Sequence, residues 1–148
     1  MEVYRNLFLG DEADSRSLGV AVDCVVNCTS DLPFHGCATV QQQIRIPVED
    51  NGDERQQAAF VEHAGPNVAV VAGYLAEGKK VLVHCAAGRQ RSAAFVAILL
   101  LAVRARQCGT INETVAFLRK KKPDAFFGGV NFVVALGELL DKVRSKTL

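Results

Sequence analysis

The chain has 148 residues, 49% of them hydrophobic and 22% charged, which is single-domain size with enough apolar side chains to bury a core. Its formal net charge of +1 provides no field to draw it to DNA or to a membrane surface, and no apolar run reaches the length of a membrane span. The five cysteines (Cys24, Cys28, Cys37, Cys85 and Cys108) are an odd set without paired metal-ligand spacing, so neither a disulfide framework nor a metal centre is expected.

Strands are predicted at residues 3–9, 22–28, 40–46 and 80–84, alternating with helical patterns. That order implies an α/β fold with a central, largely parallel twisted sheet flanked by helices, in one domain over residues 1–148. Residues 54–64 read as a helix that Gly65-Pro66 interrupts. Pro66 suits the first position of a second helix running to about Glu77 and ended by Gly78. Residues 92–106 are apolar nearly all round, as befits a central helix buried against the sheet. Thr110-Ile111-Asn112-Glu113 is a capping-box pattern that opens a helix to about Lys121, and a last amphipathic helix spans roughly residues 131–144.

The Arg119-Lys120-Lys121-Lys122 run ends a helix before Pro123 and reads as a solvated helix end whose cations complement the dipole. Phe126 and Phe127, before Gly128-Gly129, read as core packing at a loop. His35 and His63 have no metal-compatible partners in sequence and read as surface or structural histidines. Cys24 reads as a small core residue, with Cys28 on the same face of its strand.

Chemistry concentrates at Val81-Leu82-Val83-His84-Cys85-Ala86-Ala87-Gly88-Arg89-Gln90-Arg91-Ser92. An apolar strand delivers Cys85 into a loop that closes on Arg91 after five intervening residues and then opens a helix. Such a loop can wrap its successive N–H groups around a tetrahedral anion. The helix start favours both a bound phosphate and an ionised thiol, whose pKa such surroundings lower from about 8.5 towards roughly 3.5–7.5. Arg91 offers a planar fork for two phosphate oxygens. The backbone amides of Ala86, Ala87, Gly88, Arg89, Gln90 and Arg91 line the phosphate site, Gly88 permits the tight turn, and Ser92 can donate to the sulfur. His84, alternating to the other face of the strand, takes an orienting role.

The pattern His84-Cys85-x-x-Gly88-x-x-Arg91-Ser92 resembles the signature loop of the cysteine-dependent protein tyrosine phosphatases, and its Ala87-Gly88 and Arg91-Ser92 pairs resemble the dual-specificity branch. Chance produces such a match on the order of 10⁻⁵ times per chain of this length. The resemblance covers most of the chain, and Ile44-Arg45-Ile46-Pro47-Val48-Glu49-Asp50 is similar to the family's acid loop. It implies hydrolysis through a cysteinyl-phosphate, with Cys85 as nucleophile, Arg91 and the loop amides holding phosphate, and Asp50 as general acid and then base. Asp53 competes with Asp50, because Asn51-Gly52 is a turn dipeptide that can swing either aspartate inward.

The resemblance implies no cofactor, and a phosphorylated protein as partner, met by a monomer without a docking domain. A thiolate enzyme also calls for a reducing compartment, cytoplasmic or nuclear. Met1 is followed by Glu2, and neither a secretory leader nor a prenylation box is read. Arg89, a second cation in the loop, is similar to a feature of phosphoinositide-directed members, while Ala86 departs from them. A phosphoinositide or an RNA 5′-phosphate is therefore the alternative substrate, and a phospho-binding module without hydrolysis is the non-enzymatic one. Cys28, at the carboxyl end of its strand, is expected beside the site and able to pair with Cys85 under peroxide.

Overall fold

The computed structural model describes residues 1–17, 21–34 and 42–145. His35, Cys37 and the first two positions of the strand read at 40–46 lie outside the described residues. Among the described residues the sheet has five strands in the order β1-β2-β5-β3-β4, with β1 (Glu2–Tyr4), β2 (Leu7–Gly10), β3 (Cys24–Asn27), β4 (Gln42–Arg45) and β5 (Val81–His84). β1 pairs antiparallel with β2, and every other pairing is parallel.

The single strand read at residues 3–9 is thus a hairpin. Asn6 turns the chain at φ +64°, in the left-handed region that asparagine tolerates better than most residues. The consequence for the site is positional. β5 lies between β2 and β3, with Leu7 and Cys24 both in register with Val81, and all four of its residues are buried. A parallel strand covered on both faces needs an unbroken apolar run, which Val81-Leu82-Val83 supplies.

Among the described residues five helices flank the sheet: α1 (Glu12–Arg16), α2 (Glu54–Ala76), α3 (Arg91–Ala102), α4 (Ile111–Lys121) and α5 (Val133–Ser145). α2 is one continuous helix of 23 residues with Pro66 inside it, correcting the expected break. Proline's ring normally clashes with the Cβ of the residue before it, and Gly65 has none. Pro66 also faces solvent, and so does Glu62, whose carbonyl loses its helical partner.

In α3 the residues from Arg91 to Leu101 are all buried, as its apolar sequence requires. It stops at Ala102, short of the residue 106 read from sequence, and Arg104 follows at φ +54°. Thr110 caps α4 by accepting the Glu113 backbone N–H at 3.1 Å. The core fills the space between sheet and helices, with Phe60 and Phe132 fully buried and their ring centroids 5.0 Å apart. Each such side chain contributes about 1.5–3 kcal/mol through its burial. Among the described residues, no helix is long and apolar enough to cross a membrane.

Candidate active site

The site forms where β5 ends and α3 begins, at the carboxyl edge of the parallel strands, the usual location for ligands in open α/β sheets. Cys85 leaves the strand with only 2% of its surface exposed. Its Sγ accepts the Gly88 backbone N–H at 3.2 Å and lies 3.1 Å from Ser92 Oγ. Both contacts hold the sulfur in place and suit a negative charge there. His84, fully buried, has Nδ1 3.4 Å from the Cys85 carbonyl, so its ring lies against the loop's first peptide.

Gly88 is required twice over. Its φ is +70°, and a Cβ at this position would stand 2.7 Å from the Gly10 carbonyl oxygen. The loop therefore rests directly on the end of β2, and the Glu12 N–H donates to the Ala86 carbonyl at 3.1 Å from the adjoining α1. Ala86, Ala87 and Arg89 face solvent, whereas Gly88 and Gln90 are buried.

Gln90 occupies the N-cap position of α3 but makes no side-chain cap, which leaves the N–H groups of the first turn directed at the loop. Its amide does other work. Nε2 donates to the carbonyls of Phe127 at 3.0 Å and Gly129 at 2.7 Å, and Oε1 accepts the Asn131 N–H at 3.0 Å. The segment before α5 is thereby fastened to the Cys85–Arg91 loop.

Arg91 is nine-tenths buried, and its Nη1 donates to the Val48 carbonyl at 3.1 Å, joining the loop to the segment after β4. Its Nε is buried with no hydrogen-bond partner among the described residues. A buried donor without an acceptor costs about 1–3 kcal/mol, and a phosphate oxygen is an acceptor of matching charge and geometry.

The two candidate acids have different surroundings. Asp53 is the N-cap of α2, its carboxylate accepting the Gln56 N–H at 2.9 Å. Asp50 is exposed, with Oδ1 accepting from Asn131 Nδ2 at 3.1 Å. Glu49, next to Asp50, is engaged by the Ser30 hydroxyl.

Arg89 is held at the rim. Its Nε donates to Asp124 at 3.3 Å, its guanidinium lies 5.7 Å from the Phe127 ring centroid, and its carbonyl accepts the Phe126 N–H at 2.7 Å. Lys122 Nζ binds the other Asp124 oxygen at 2.6 Å. The hydrogen bond from Lys122, with a smaller contribution from Arg89, holds the Asp124 carboxyl below the ordinary aspartate value.

Two expectations for this region are corrected. Phe126 is fully buried, but Phe127 is 72% exposed because Gln90 draws its carbonyl, not its ring, inward. Arg119 is not a merely solvated helix end. It donates to the carbonyls of Ala125 at 3.2 Å and Phe126 at 2.8 Å, steadying Phe126 at φ +57°.

Cys28 is fully buried just beyond β3, its N–H donating to the His84 carbonyl at 2.8 Å. Burial pushes its thiol well above the ordinary value, the charge of Cys85 adds to that, and Arg91 opposes it. Cys24, deeper in the core, is pushed up to about 12 by burial. Among the described residues no group of three or more His, Cys, Asp or Glu side chains is placed to hold a metal. The side chains of Gln90, Asn131 and Asp124 are functional contacts that the sequence reading did not single out.

A strand end, a cysteine loop and a helix start thus bring the Cys85 sulfur, the Gly88 N–H, the Ser92 hydroxyl and the Arg91 side chain into one short segment. A comparison with protein families matches residues 7–142 to "Dual specificity phosphatase, catalytic domain". The chain belongs to that family, the dual-specificity branch of the cysteine-based protein phosphatases. No curated protein sequence gives a significant match.

Among solved structures, human DUSP28 superposes with a TM-score of 0.81 at 22% identity, covering 98% of each chain. DUSP15 gives 0.75 at 18% identity over 99% of this chain and 95% of that one. PTPMT1 in complex with PI(5)P gives 0.73 at 19% identity over 100% and 98%. At these identities the likeness is one of fold.

Proposed function

We propose that the Cys85 loop hydrolyses phosphotyrosine and phosphoserine or phosphothreonine in proteins by two in-line displacements. The Cys85 thiolate attacks phosphorus, forming an S–P bond as the P–O bond to the substrate breaks. Arg91 and the amides of Ala86 through Arg91 hold the equatorial oxygens, and Asp50 gives its proton to the leaving oxygen. Water then attacks phosphorus and returns a proton to Asp50. The thiolate leaves with the Ser92 hydroxyl donating to it. Charge is balanced by guanidinium and backbone dipoles, so no step calls for a cofactor.

The observation that carries this reading is the convergence of the Gly88 N–H and the Ser92 hydroxyl on Cys85 Sγ, in a loop that closes on an arginine whose buried Nε has no hydrogen-bond partner among the described residues. Retention of Cys85, Arg91 and an acid also favours hydrolysis over mere phosphate binding. Protein substrates are favoured over phosphoinositides because Arg89, the cation that would suit a polyanionic headgroup, is paired with Asp124. The enzyme is read as a monomer of the cytoplasm or nucleus, acting without DNA.

A substrate panel tests this. Purified protein is assayed on phosphotyrosine and phosphothreonine peptides, on phosphatidylinositol 5-phosphate and on 5′-triphosphorylated RNA. Peptide turnover that vanishes in Cys85→Ser supports the reading. Turnover confined to the lipid or the RNA, or surviving in Cys85→Ser, overturns it.

A further inference from the structure

Asn131 joins three parts of the site that are far apart in sequence. Its side chain meets Asp50, its backbone N–H meets Gln90 of the phosphate loop, and its carbonyl accepts Gln57 Nε2 of α2 at 2.5 Å. Gln57 is itself buried, donates to the Gly52 carbonyl at 2.9 Å and accepts the Ala135 N–H at 2.8 Å. Gly52 lies so close that a Cβ on it would stand 2.7 Å from the Asn131 carbonyl oxygen. The backbone of Asn131 is thus fixed from both sides by buried glutamine side chains, and its amide is aimed before any substrate arrives.

Asp50 has the opposite character. It sits on an exposed turn, and among the described residues no hydrogen bond or ion pair other than that from Asn131 holds its carboxyl group. An exposed carboxylate on a turn samples several rotamers, whereas proton transfer to a leaving oxygen needs one.

We infer that Asn131 is the positioning residue for the general acid, holding Asp50 by Oδ1 so that the transferable proton resides on Oδ2. The inference rests on the reading of Asp50 as the acid. An amide N–H can donate only to an oxygen with a free lone pair directed at it. With Oδ1 engaged, the carbonyl character of the protonated carboxyl falls on Oδ1 and the O–H on Oδ2, in both directions of the reaction. Gln90 then has two functions through one side chain, since it shapes the phosphate loop and carries the anchor of the acid.

The test exploits the fact that general-acid catalysis matters most when the leaving group is basic. kcat/KM, which covers steps through P–O cleavage, is measured for phenyl phosphate and for 4-nitrophenyl phosphate in wild type, Asp50→Asn, Asn131→Ala and Asn131→Asp. The two Asn131 variants keep the backbone anchors, and Asn131→Asp keeps the shape while removing the donor. Both are expected to lower the phenyl-to-nitrophenyl ratio about 10- to 100-fold, as Asp50→Asn does, and Asn131→Ala is expected to lower it no further in an Asp50→Asn background.

If Asp50→Asn moves the ratio and neither Asn131 variant does, the inference is overturned while the acid reading stands. If the Asn131 variants lower both substrates equally along with Tm, the residue is structural and the inference is overturned. A ratio unmoved by Asp50→Asn overturns the acid reading itself, and the inference with it.

Discussion

The carboxylate of Asp53 accepts the Gln56 backbone N–H at 2.9 Å and caps α2, while Asp50, one turn of chain earlier, has no such engagement. The two acids that sequence spacing left in competition thus have different partners, a helix N–H for Asp53 and the Asn131 amide for Asp50. Replacing Asp53 with alanine is expected to cost about 1 kcal/mol through the lost cap and to leave the leaving-group dependence of kcat/KM intact. Asp50→Asn is expected to lower kcat/KM for phenyl phosphate by roughly 10²–10⁴ without a matching loss of Tm. Thermal melts alongside the two-substrate assay check both. The reverse pattern would reassign the acid.

Gly88 offers a sharper test of the loop. Alanine there must adopt φ +70° and place its Cβ 2.7 Å from the Gly10 oxygen, on backbone that cannot swing away as a side chain can. Gly88→Ala is expected to destabilise by roughly 1–3 kcal/mol and to abolish turnover, because the Gly88 N–H must leave Cys85 Sγ for the loop to relax. A variant that melts and reacts like wild type would show that the loop is not braced against β2.

Asp124 pairs with Arg89 at 3.3 Å, so its removal is expected to free the Arg89 charge. Its carboxyl titrates below the ordinary 3.8, chiefly through Lys122. A lowered value means that the ion pair and any stability it brings are present above about pH 4, and are lost only as pH falls through the depressed pKa. Between pH 5 and 8 Asp124 therefore stays charged, and Asp124→Asn should differ from wild type by a constant factor across that range. The expected factor is a roughly two- to fivefold gain in kcat/KM for phosphatidylinositol 5-phosphate relative to a phosphotyrosine peptide. An unchanged ratio would mean that Arg89 does not face the substrate.

Cys28 is near enough to Cys85 to feel its charge, and burial pushes the Cys28 thiol well above its ordinary value. Peroxide is expected to oxidise Cys85 to a sulfenic acid. Attack by the Cys28 sulfur, with its proton leaving in the expelled water, is then expected to give a Cys28–Cys85 disulfide. Activity lost to peroxide and regained with dithiothreitol is expected to be smaller in Cys28→Ser than in wild type. Equal recovery, with no crosslinked peptide by mass spectrometry, would remove Cys28 from the redox chemistry.

Much of the site was legible in sequence because its core is local. Residues from Val81 to Ser92 form strand, loop and helix start in one continuous run, so spacing alone conveys their geometry. Where reasoning from sequence stopped short, tertiary contacts decide. Arg5-Asn6 carries no glycine or proline to announce the turn of the β1-β2 hairpin. Gly65-Pro66 reads as a helix break until one notes that glycine offers proline no Cβ to strike. Gln90 binds carbonyls near residue 129, and Asn131 reaches Asp50 across most of the chain. Such pairs have no periodicity and no motif.

The central claim, that phosphate passes through the Cys85 sulfur, is tested most directly by rapid acid quench of Ser92→Ala with phosphorus-labelled phosphotyrosine peptide. Removing the hydroxyl that lies 3.1 Å from Cys85 Sγ slows departure of the thiolate, so the intermediate should accumulate. The expected result is label on the peptide that contains Cys85, stable to acid and absent from Cys85→Ser. Label on another residue, or turnover with no labelled protein at any quench time, would contradict it.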